Sequence, residues 1–166
     1  MYIHQYDPDK DRTHVRKLIE EYMRWATLRL MEEFGIQIDV SEIVDASMQS
    51  LGEFAPPAGR LYLAETVDGL AGMACMRRLS EEIGEVKRMY VRESCRGQGI
   101  GRALLDQLLA DAQTIGYTTM RLDSARFMHA AHALYGAAGF REIEPYPGSE
   151  ITQAYQQYWI FMEKTL

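Results

Sequence analysis

The sequence predicts an α+β fold in which a mixed, mostly antiparallel sheet of six to seven strands carries helices on both faces. One sign is a run of three strand-like segments between positions 60 and 92, the first two joined by Asp68-Gly69, a pair that favours a tight hairpin turn. The other sign lies between positions 84 and 124, where a strand, a glycine-rich loop, a leucine-rich helix and another strand follow in order. That order predicts a parallel strand pair.

The N-terminal segment predicts a short strand and a long helix. Residues 2–6 alternate weakly between apolar and polar side chains, which indicates a strand. Apolar residues then recur at helical spacing from Val15 to Leu30, and either Asp11 or Thr13 is expected to cap this helix.

A second helix is expected to follow Asp39. Glu42 stands three residues after this aspartate, the spacing of a capping box. Gly52 and the Pro56-Pro57 pair end the helical pattern.

The middle and C-terminal parts of the chain supply the remaining elements. After the hairpin, Gly116 is expected to stop the leucine-rich helix, because glycine readily adopts the left-handed conformation found at helix ends. The predicted strands are 60–66, 70–79, 84–92, 117–124, 140–146 and 158–166, and the predicted helices are 99–115 and 128–139.

Length and composition indicate one acidic, soluble domain spanning residues 1–166. The net charge of -6 and the pI of about 5.2 argue against a general nucleic-acid binder. The longest apolar run is too short to span a membrane, and the N-terminus lacks the pattern of a signal peptide. Two cysteines, Cys75 and Cys95, give no disulfide framework, so a reduced, cytoplasmic protein is expected.

The glycine-rich loop predicts a site for a diphosphate. In "RGQGIG", Gly97, Gly99 and Gly101 alternate with other residues, and Arg96 and Arg102 stand on either side. A helix N-terminus offers unpaired N–H groups and a partial positive charge. Glycines let a phosphate approach that backbone without meeting Cβ atoms, and arginines add forked donors.

Two well-known phosphate loops do not match this stretch. The Gly-Lys-Ser/Thr of a Walker loop is absent, and the glycine spacing differs from the G-x-G-x-x-G of a dinucleotide-binding turn. Asp123, at the end of the following strand, is the one feature that a dinucleotide site would share. A flexible loop with a glycine-assisted helix start is the simpler alternative to a phosphate site.

Three blocks of sequence resemble the GNAT superfamily of N-acetyltransferases. "EVKRMYV" is similar to the fourth strand of that family, "RGQGIG" to its R/Q-x-x-G-x-G/A motif, and "ALYGAAGF" to a later A-x-LY-x-x-x-GF segment. They occur in the family's order and spacing across residues 60–145. The resemblance implies a GNAT-like sheet and acetyl-CoA as the acetyl donor. Many members have an asparagine where this chain has Met128.

The resemblance also implies which residues bind the coenzyme. The loop amides would hold the pyrophosphate, and the fourth strand would bind the pantetheine arm with its backbone, with the Met89 or Tyr90 amide as oxyanion donor. The residues implied are Met89, Tyr90, Val91, Arg96, Gly97, Gln98, Gly99, Ile100, Gly101 and Arg102.

Two side chains are candidates for proton transfer. Tyr135 aligns with the family tyrosine near the thioester sulfur, which implies a general acid; otherwise it is a tyrosine on a helix surface. Glu85 aligns with the glutamate that acts as base in some members, and it is expected to share a face of the strand with Met89 and Val91. A solvated strand-end carboxylate, with a water chain as base, is the open alternative.

These observations together predict transfer of an acetyl group from acetyl-CoA to a primary amine by direct attack in a ternary complex. The acceptor is a small molecule or a protein amine. The oligomeric state stays open, and the resemblance adds only that a homodimer is common among relatives. A non-catalytic CoA-binding sensor is the alternative. His129 and His132 lie three residues apart but lack a third ligand, so no metal is expected. Aromatic residues such as Tyr22 and Trp159 are expected mainly to pack in the core, with a place in the wall of an acceptor pocket as the alternative.

Overall fold

Residues 1–166 form seven strands in one sheet and four longer helices, as described by a computed structural model of the chain. The strand order is β1-β2-β3-β4-β5-β7-β6, and β4 and β5 are the only parallel neighbours. The predicted mixed, mostly antiparallel sheet is therefore confirmed. The elements are β1 Tyr2–Gln5, α1 Pro8–Phe34, α2 Val40–Gln49, β2 Arg60–Thr66, β3 Gly69–Arg78, β4 Ile83–Val91, α3 Ile100–Ile115, β5 Thr119–Ala125, α4 His129–Ala137, β6 Arg141–Ile143 and β7 Trp159–Thr165.

Two apolar clusters cover the two faces of the sheet. Side chains of α1 and α2 pack against one face of β2 and β3, for example Leu18 and Met48 against Leu63. Helix α3 packs against the opposite face, where Leu104 and Leu108 join a larger cluster that also includes Tyr135 from α4. Burial of these apolar faces is the main source of stability for such layers.

The first helix begins earlier than the sequence predicted. Asp7 caps α1 by accepting a hydrogen bond from the Asp9 N–H at 3.0 Å, and Pro8 occupies the first helical position. Proline is favourable there because its missing N–H would have no partner in any case. Asp11, one of the two predicted caps, instead accepts a hydrogen bond from the Asp7 N–H at 2.9 Å. The predicted cap of α2 is confirmed, since Asp39 accepts from Ser41 and Glu42.

The sixth strand is shorter than predicted. It ends at Ile143, whereas the pattern "FREIEPY" predicted a strand to Tyr146. Pro145 follows closely and cannot donate a backbone hydrogen bond to a neighbouring strand. The segment from 144 to 158 therefore leaves the sheet and covers one end of β4 and β5.

None of the helices combines the length and the apolar character needed to cross a bilayer.

Candidate active site

The parallel strands β4 and β5 separate partway along their length. Their paired residues run from Ile83 with Thr119 to Val86 with Leu122, and β4 then continues to Val91 without a partner on that side. Strand β5 keeps its pairing with β7 beyond this point. The result is a cleft between the second half of β4 and the end of β5.

A β-bulge in β4 changes which side chains face this cleft. The pairing with β3 shifts between Met73 and Cys75, so that Arg88 and Met89 together stand opposite one β3 residue. Arg88 has a φ of 48°, in the left-handed region that residues with a side chain rarely adopt. An extra residue on one strand inverts the alternation of side chains beyond it. Met89 and Val91 accordingly pack on the α3 side of the sheet.

The backbone of β4 offers hydrogen-bonding groups to the cleft. The Arg92 N–H donates to the Ala71 carbonyl of β3 at 2.8 Å, so Arg92 directs its backbone groups toward β3. Because successive residues of a strand direct these groups to opposite edges, those of Met89 and Val91 are directed toward the cleft. The Val91 carbonyl accepts from the Arg96 side chain at 3.1 Å. The Met89 and Val91 amides are thus placed to meet a ligand lying along the strand.

The glycine loop presents a row of backbone donors without acceptors. None of the six consecutive N–H groups from Gly97 to Arg102 donates a hydrogen bond to another group of the protein. Gly97 and Gly99 adopt φ values of 75° and 80°, and a Cβ atom at either position would meet no protein atom within 4 Å. Free amides at the start of a 16-residue helix, beside open space, fit the phosphates predicted from the sequence.

The side chains of the loop are arranged around the same space. Arg96 is exposed, and its guanidinium carbon lies 5.2 Å from the centre of the Trp25 ring, a cation–π distance. Arg102 is bound through Nε to Asp106 at 2.8 Å. The side-chain amide of Gln98 donates to the Ser94 carbonyl at 3.4 Å, and Gln98 does not line the cavity described next.

A cavity of about 470 Å³ joins the loop to the cleft. This volume lies in the usual range for sites that bind small molecules and cofactors. We call it the donor cavity. Nine of the ten residues that the family resemblance implied for coenzyme binding line it, and the exception is Gln98. Its further lining residues are Tyr22, Trp25, Cys95, Phe127, Met128, His129, Ala130, Ala131, Leu134 and Tyr135.

A second cavity of about 370 Å³, here called the acceptor cavity, adjoins the donor cavity. Side chains from α1, α2, β4, β5, α4, β7 and the segment before β7 surround it, among them Tyr22, Arg88, Ser124 and Trp159. The two cavities share five lining residues: Tyr22, Met89, Met128, Ala131 and Tyr135. Two ligands bound in these cavities would therefore meet beside Met89 and Tyr135.

Tyr135 stands at this meeting point with a free hydroxyl. The residue is 6% exposed, and its hydroxyl makes no hydrogen bond to the protein. Only three polar side-chain atoms of the chain are both fully enclosed and without a partner, and the Tyr135 hydroxyl is not one of them. This hydroxyl therefore keeps some surface open to the cavity. Burial, with smaller contributions from Tyr22 and Asp123, raises the pKa of Tyr135 above its ordinary value. The phenol therefore stays protonated at neutral pH.

Glu85 lies elsewhere, and the expectation that it shares a strand face with Met89 and Val91 is wrong. The bulge at Arg88 comes between them, so Glu85 faces the α1 and α2 side. Glu85 is fully buried and lines neither cavity. Its carboxylate accepts hydrogen bonds from Arg77 at 2.7 Å and from the Tyr146 hydroxyl at 2.8 Å. The alternative of a solvated carboxylate is equally wrong, because Glu85 has no exposed surface.

Glu85 belongs to an ionic network that the sequence did not reveal. Lys87, which is 8% exposed, contacts Asp123 at 3.0 Å and Glu150 at 3.2 Å. Burial alone would raise the pKa of Glu150, but the charges of Lys87 and Arg77 outweigh it and lower that pKa. Asp123 thus pairs with a lysine at the wall of the acceptor cavity. No local motif could have indicated this network, because its members come from four separate segments: β3, β4, β5 and the segment between β6 and β7.

The histidines and cysteines form no metal site. No group of three or more His, Cys, Asp or Glu side chains is arranged to hold an ion. His132 lies 3.1 Å from the Ser124 hydroxyl, and His129 lines the donor cavity. Cys75 is buried, which raises its pKa to about 12. Cys95 lines the donor cavity without a hydrogen-bonded histidine.

Comparisons with known proteins agree with this geometry. A family model described as an acetyltransferase (GNAT) domain matches residues 57–142, just over half of the chain. An aminoglycoside N(6')-acetyltransferase type 1 from Stenotrophomonas maltophilia is 33% identical over 129 residues, covering 72% of this chain and 80% of that enzyme.

Solved structures share the whole fold. A GNAT-family acetyltransferase from Staphylococcus aureus Mu50 superposes with a TM-score of 0.76 at 21% identity, covering 99% of this chain and 98% of that one. A GNAT-family acetyltransferase from Elizabethkingia anophelis, solved with acetyl-CoA bound, gives a TM-score of 0.63 at 20% identity and covers 99% and 97% of the two chains. With the family model covering the loop, the cleft and Tyr135, this chain belongs to the GNAT acetyltransferase family.

Proposed function

We propose that this protein transfers the acetyl group of acetyl-CoA to the primary amine of an acceptor bound in the acceptor cavity. The observation that carries the proposal is the junction of two cavities at Met89 and Tyr135, where one cavity is lined by five of the six residues with unpaired backbone amides. The family membership and the acetyl-CoA bound to the Elizabethkingia anophelis relative support the choice of donor.

In this proposal the donor cavity binds the coenzyme mainly through backbone groups. The amides from Gly97 to Arg102 hold the pyrophosphate, and Arg96 and Arg102 add positive charge. The cleft edge of β4 binds the pantetheine arm. The coenzyme supplies an acetyl thioester, an acyl group that an amine can attack directly.

Two groups of the chain act on the charges that develop during transfer. The Met89 amide, directed into the cleft, donates a hydrogen bond to the carbonyl oxygen as it becomes negative. The Tyr135 hydroxyl, as general acid, donates its proton to the sulfur as the C–S bond breaks. Of the two oxyanion donors expected from the sequence, Met89 and Tyr90, the strand geometry favours Met89.

The acceptor amine must lose a proton, because an alkylamine is almost wholly protonated at neutral pH. Glu85 has no surface in either cavity, and the Asp123 and Glu150 carboxylates of the acceptor cavity are paired with Lys87. We therefore assign proton removal to water in the acceptor cavity. Glu85 acts as a positioning residue, which holds Arg77 and Tyr146 against the end of the sheet.

The experiment that tests the proposal measures release of free thiol from acetyl-CoA across a panel of amines. The panel contains amino acids, polyamines, aminoglycosides and peptides with free N-termini, and mass spectrometry identifies each acetylated product. Thiol release with at least one amine is expected. Tight binding of acetyl-CoA without release for any amine would instead favour a non-catalytic CoA sensor.

Cys95→Ala is expected to leave kcat within about 3-fold of the wild type, because direct attack in a ternary complex needs no acyl-enzyme. Cys95 also lacks a neighbouring base to form a thiolate. Steady-state rates with both substrates saturating measure the effect. A near-complete loss of turnover in a variant that still binds coenzyme would point to a ping-pong route through this thiol.

Glu85→Gln is expected to lower the free energy of unfolding by about 3 kcal/mol, since it removes one charge from a buried ion pair with Arg77. The shape of the pH profile of kcat/KM should not change, because Glu85 takes no proton from the acceptor. Urea denaturation and the pH profile measure the two quantities. Unchanged stability together with loss of the acidic limb of the profile would make Glu85 the base.

A further inference from the structure

Arg88, at the wall of the acceptor cavity, has a strained backbone and a guanidinium without a salt bridge, and each of these costs free energy. Its backbone lies in the left-handed region, with a φ of 48°, at the bulge in β4. Its guanidinium lies 5.0 Å from the centre of the Phe54 ring and donates one hydrogen bond, from Nη2 to the Ser50 hydroxyl at 3.2 Å. Strained backbone of this kind persists mainly at functional sites.

Arg88 forms no salt bridge, although its charge, after those of Lys87 and Arg77, helps to lower the pKa of the Glu150 carboxyl in the same cavity wall. No carboxylate lies within 4.0 Å of the Arg88 guanidinium, and Nη1 is enclosed without any hydrogen-bond acceptor. The other two cations of this region are paired, Lys87 with Asp123 and Glu150, and Arg77 with Glu85. Arg88 is therefore the one cation lining the acceptor cavity that forms no salt bridge.

An unpaired guanidinium in a partly buried position is costly, and native structures usually supply its acceptor. A carboxylate is the natural complement, because its two oxygens match the forked N–H groups of arginine. Arg88 is half-buried and lines the cavity, and its Nε, which has no partner in the protein and is not enclosed, is the N–H that a ligand there can reach.

We propose that Arg88 binds a carboxylate of the acceptor, so that the amine acetylated by this protein is carried by a small amino-acid-type molecule. The proposal rests on the proposed acetyl transfer and adds the class of acceptor. The carboxylate lies at the α2 side of the acceptor cavity, where Ser47 and Arg88 are lining residues, and the amine extends toward Met89 and Tyr135. Tyr22 and Trp159 form apolar walls beside the rest of the molecule.

The test compares each of the twenty common L-amino acids with its carboxamide as acceptor, using acetyl-CoA and thiol detection. The carboxamide keeps the amine and loses only the negative charge. The amine of the carboxamide is less basic than that of the amino acid, so a larger fraction of it is unprotonated and able to attack. A higher kcat/KM for the acid therefore cannot come from amine basicity and reports binding of the carboxylate. For at least one pair, kcat/KM for the acid is expected to exceed that for the amide by about 10²-fold.

Arg88→Met should reduce this preference to less than about 3-fold, mainly through a higher KM for the acid, because the charge partner is lost. Arg88→Lys should retain part of the preference, since lysine keeps the charge without the fork. Arg141→Met is the matched control: Arg141 is exposed on β6, has no ion pair and lines neither cavity, so the preference should be unchanged.

If the Arg88 variants do not fold, Ser50→Ala replaces them. It removes the hydrogen bond to Nη2 and leaves the strained backbone unaltered, and it should raise KM for the acid but not for the amide. Circular dichroism and the affinity for CoA establish that each variant is folded.

The outcomes separate this inference from the proposed function. Efficient transfer to polyamines, aminoglycosides or amides, without preference for any acid, overturns the role of Arg88 and leaves acetyl transfer intact. If no amine releases thiol, calorimetry with the amino acids and CoA-saturated protein decides. If an amino acid binds to the wild type but not to Arg88→Met, the carboxylate site is supported. If no amino acid binds to the wild type, the carboxylate site is overturned. In both cases the proposed acetyl transfer fails, independently of the role of Arg88.

Discussion

Tyr135→Phe is expected to lower kcat for acetyl transfer by about 10²–10⁴-fold, the usual contribution of one acid–base group. The substitution keeps the ring and removes one hydroxyl that makes no hydrogen bond to the protein, so the fold should lose little stability. KM for acetyl-CoA should change little, because the hydroxyl acts mainly in the transition state and the ring still packs in the cavity.

Tyr117→Phe provides a matched control for this prediction. Tyr117 is also buried in the α3-side cluster, but its hydroxyl donates to the Ala58 carbonyl at 2.8 Å and lines neither cavity. This variant should lose stability and keep its rate. Wild-type turnover by Tyr135→Phe with both substrates saturating would show that water, not this phenol, protonates the sulfur.

The pH profile gives a second measurement on Tyr135. Its pKa is raised above the ordinary value of 10.0 because burial disfavours the phenolate. The protonated form is the donor, so the rate that depends on it should be retained as pH rises until the raised pKa is passed. No alkaline loss of kcat due to Tyr135 is therefore expected below about pH 10.

Gly99→Val is expected to weaken binding of acetyl-CoA by at least about 10²-fold, since a branched side chain would fill the space where phosphate oxygens approach the loop. The glycine has a φ of 80°, and no protein atom lies within 4 Å of an added Cβ. The substitution therefore strains the backbone locally without a clash in the core, and the sheet should remain folded. Isothermal titration calorimetry with acetyl-CoA measures the affinity.

Gly116→Val separates the strain from the loss of binding. Gly116 ends the same helix, has a φ of 102° and is equally open, but it lies outside both cavities. Both variants should lose stability to a comparable extent, about 1–3 kcal/mol for a strained residue. Only Gly99→Val should lose affinity, and unchanged affinity in a folded Gly99→Val protein would refute the phosphate site.

The sequence alone determined the features that depend on neighbouring residues. The cap at Asp39 and the left-handed Gly116 each need only a local backbone preference, and both appear as predicted. The predicted hairpin also forms, but its turn residues are Val67 and Asp68, and only Gly69, the first residue of β3, has a positive φ. The glycine-rich loop also depends on neighbouring residues. Alternating glycines between a strand and an amphipathic helix predict free amides beside open space wherever such a segment folds.

The tertiary structure decided the acceptor side and the place of Glu85. One extra residue at Arg88 inverts the faces of β4, and pattern counting along an uninterrupted strand cannot detect such a bulge. Tyr22, Arg88 and Trp159 meet around the acceptor cavity from positions far apart in the chain. The sequence favoured core packing for Tyr22 and Trp159, with a pocket wall as the alternative, and it did not single out Arg88. Local spacing records no contact between distant segments, because packing of the whole sheet brings them together.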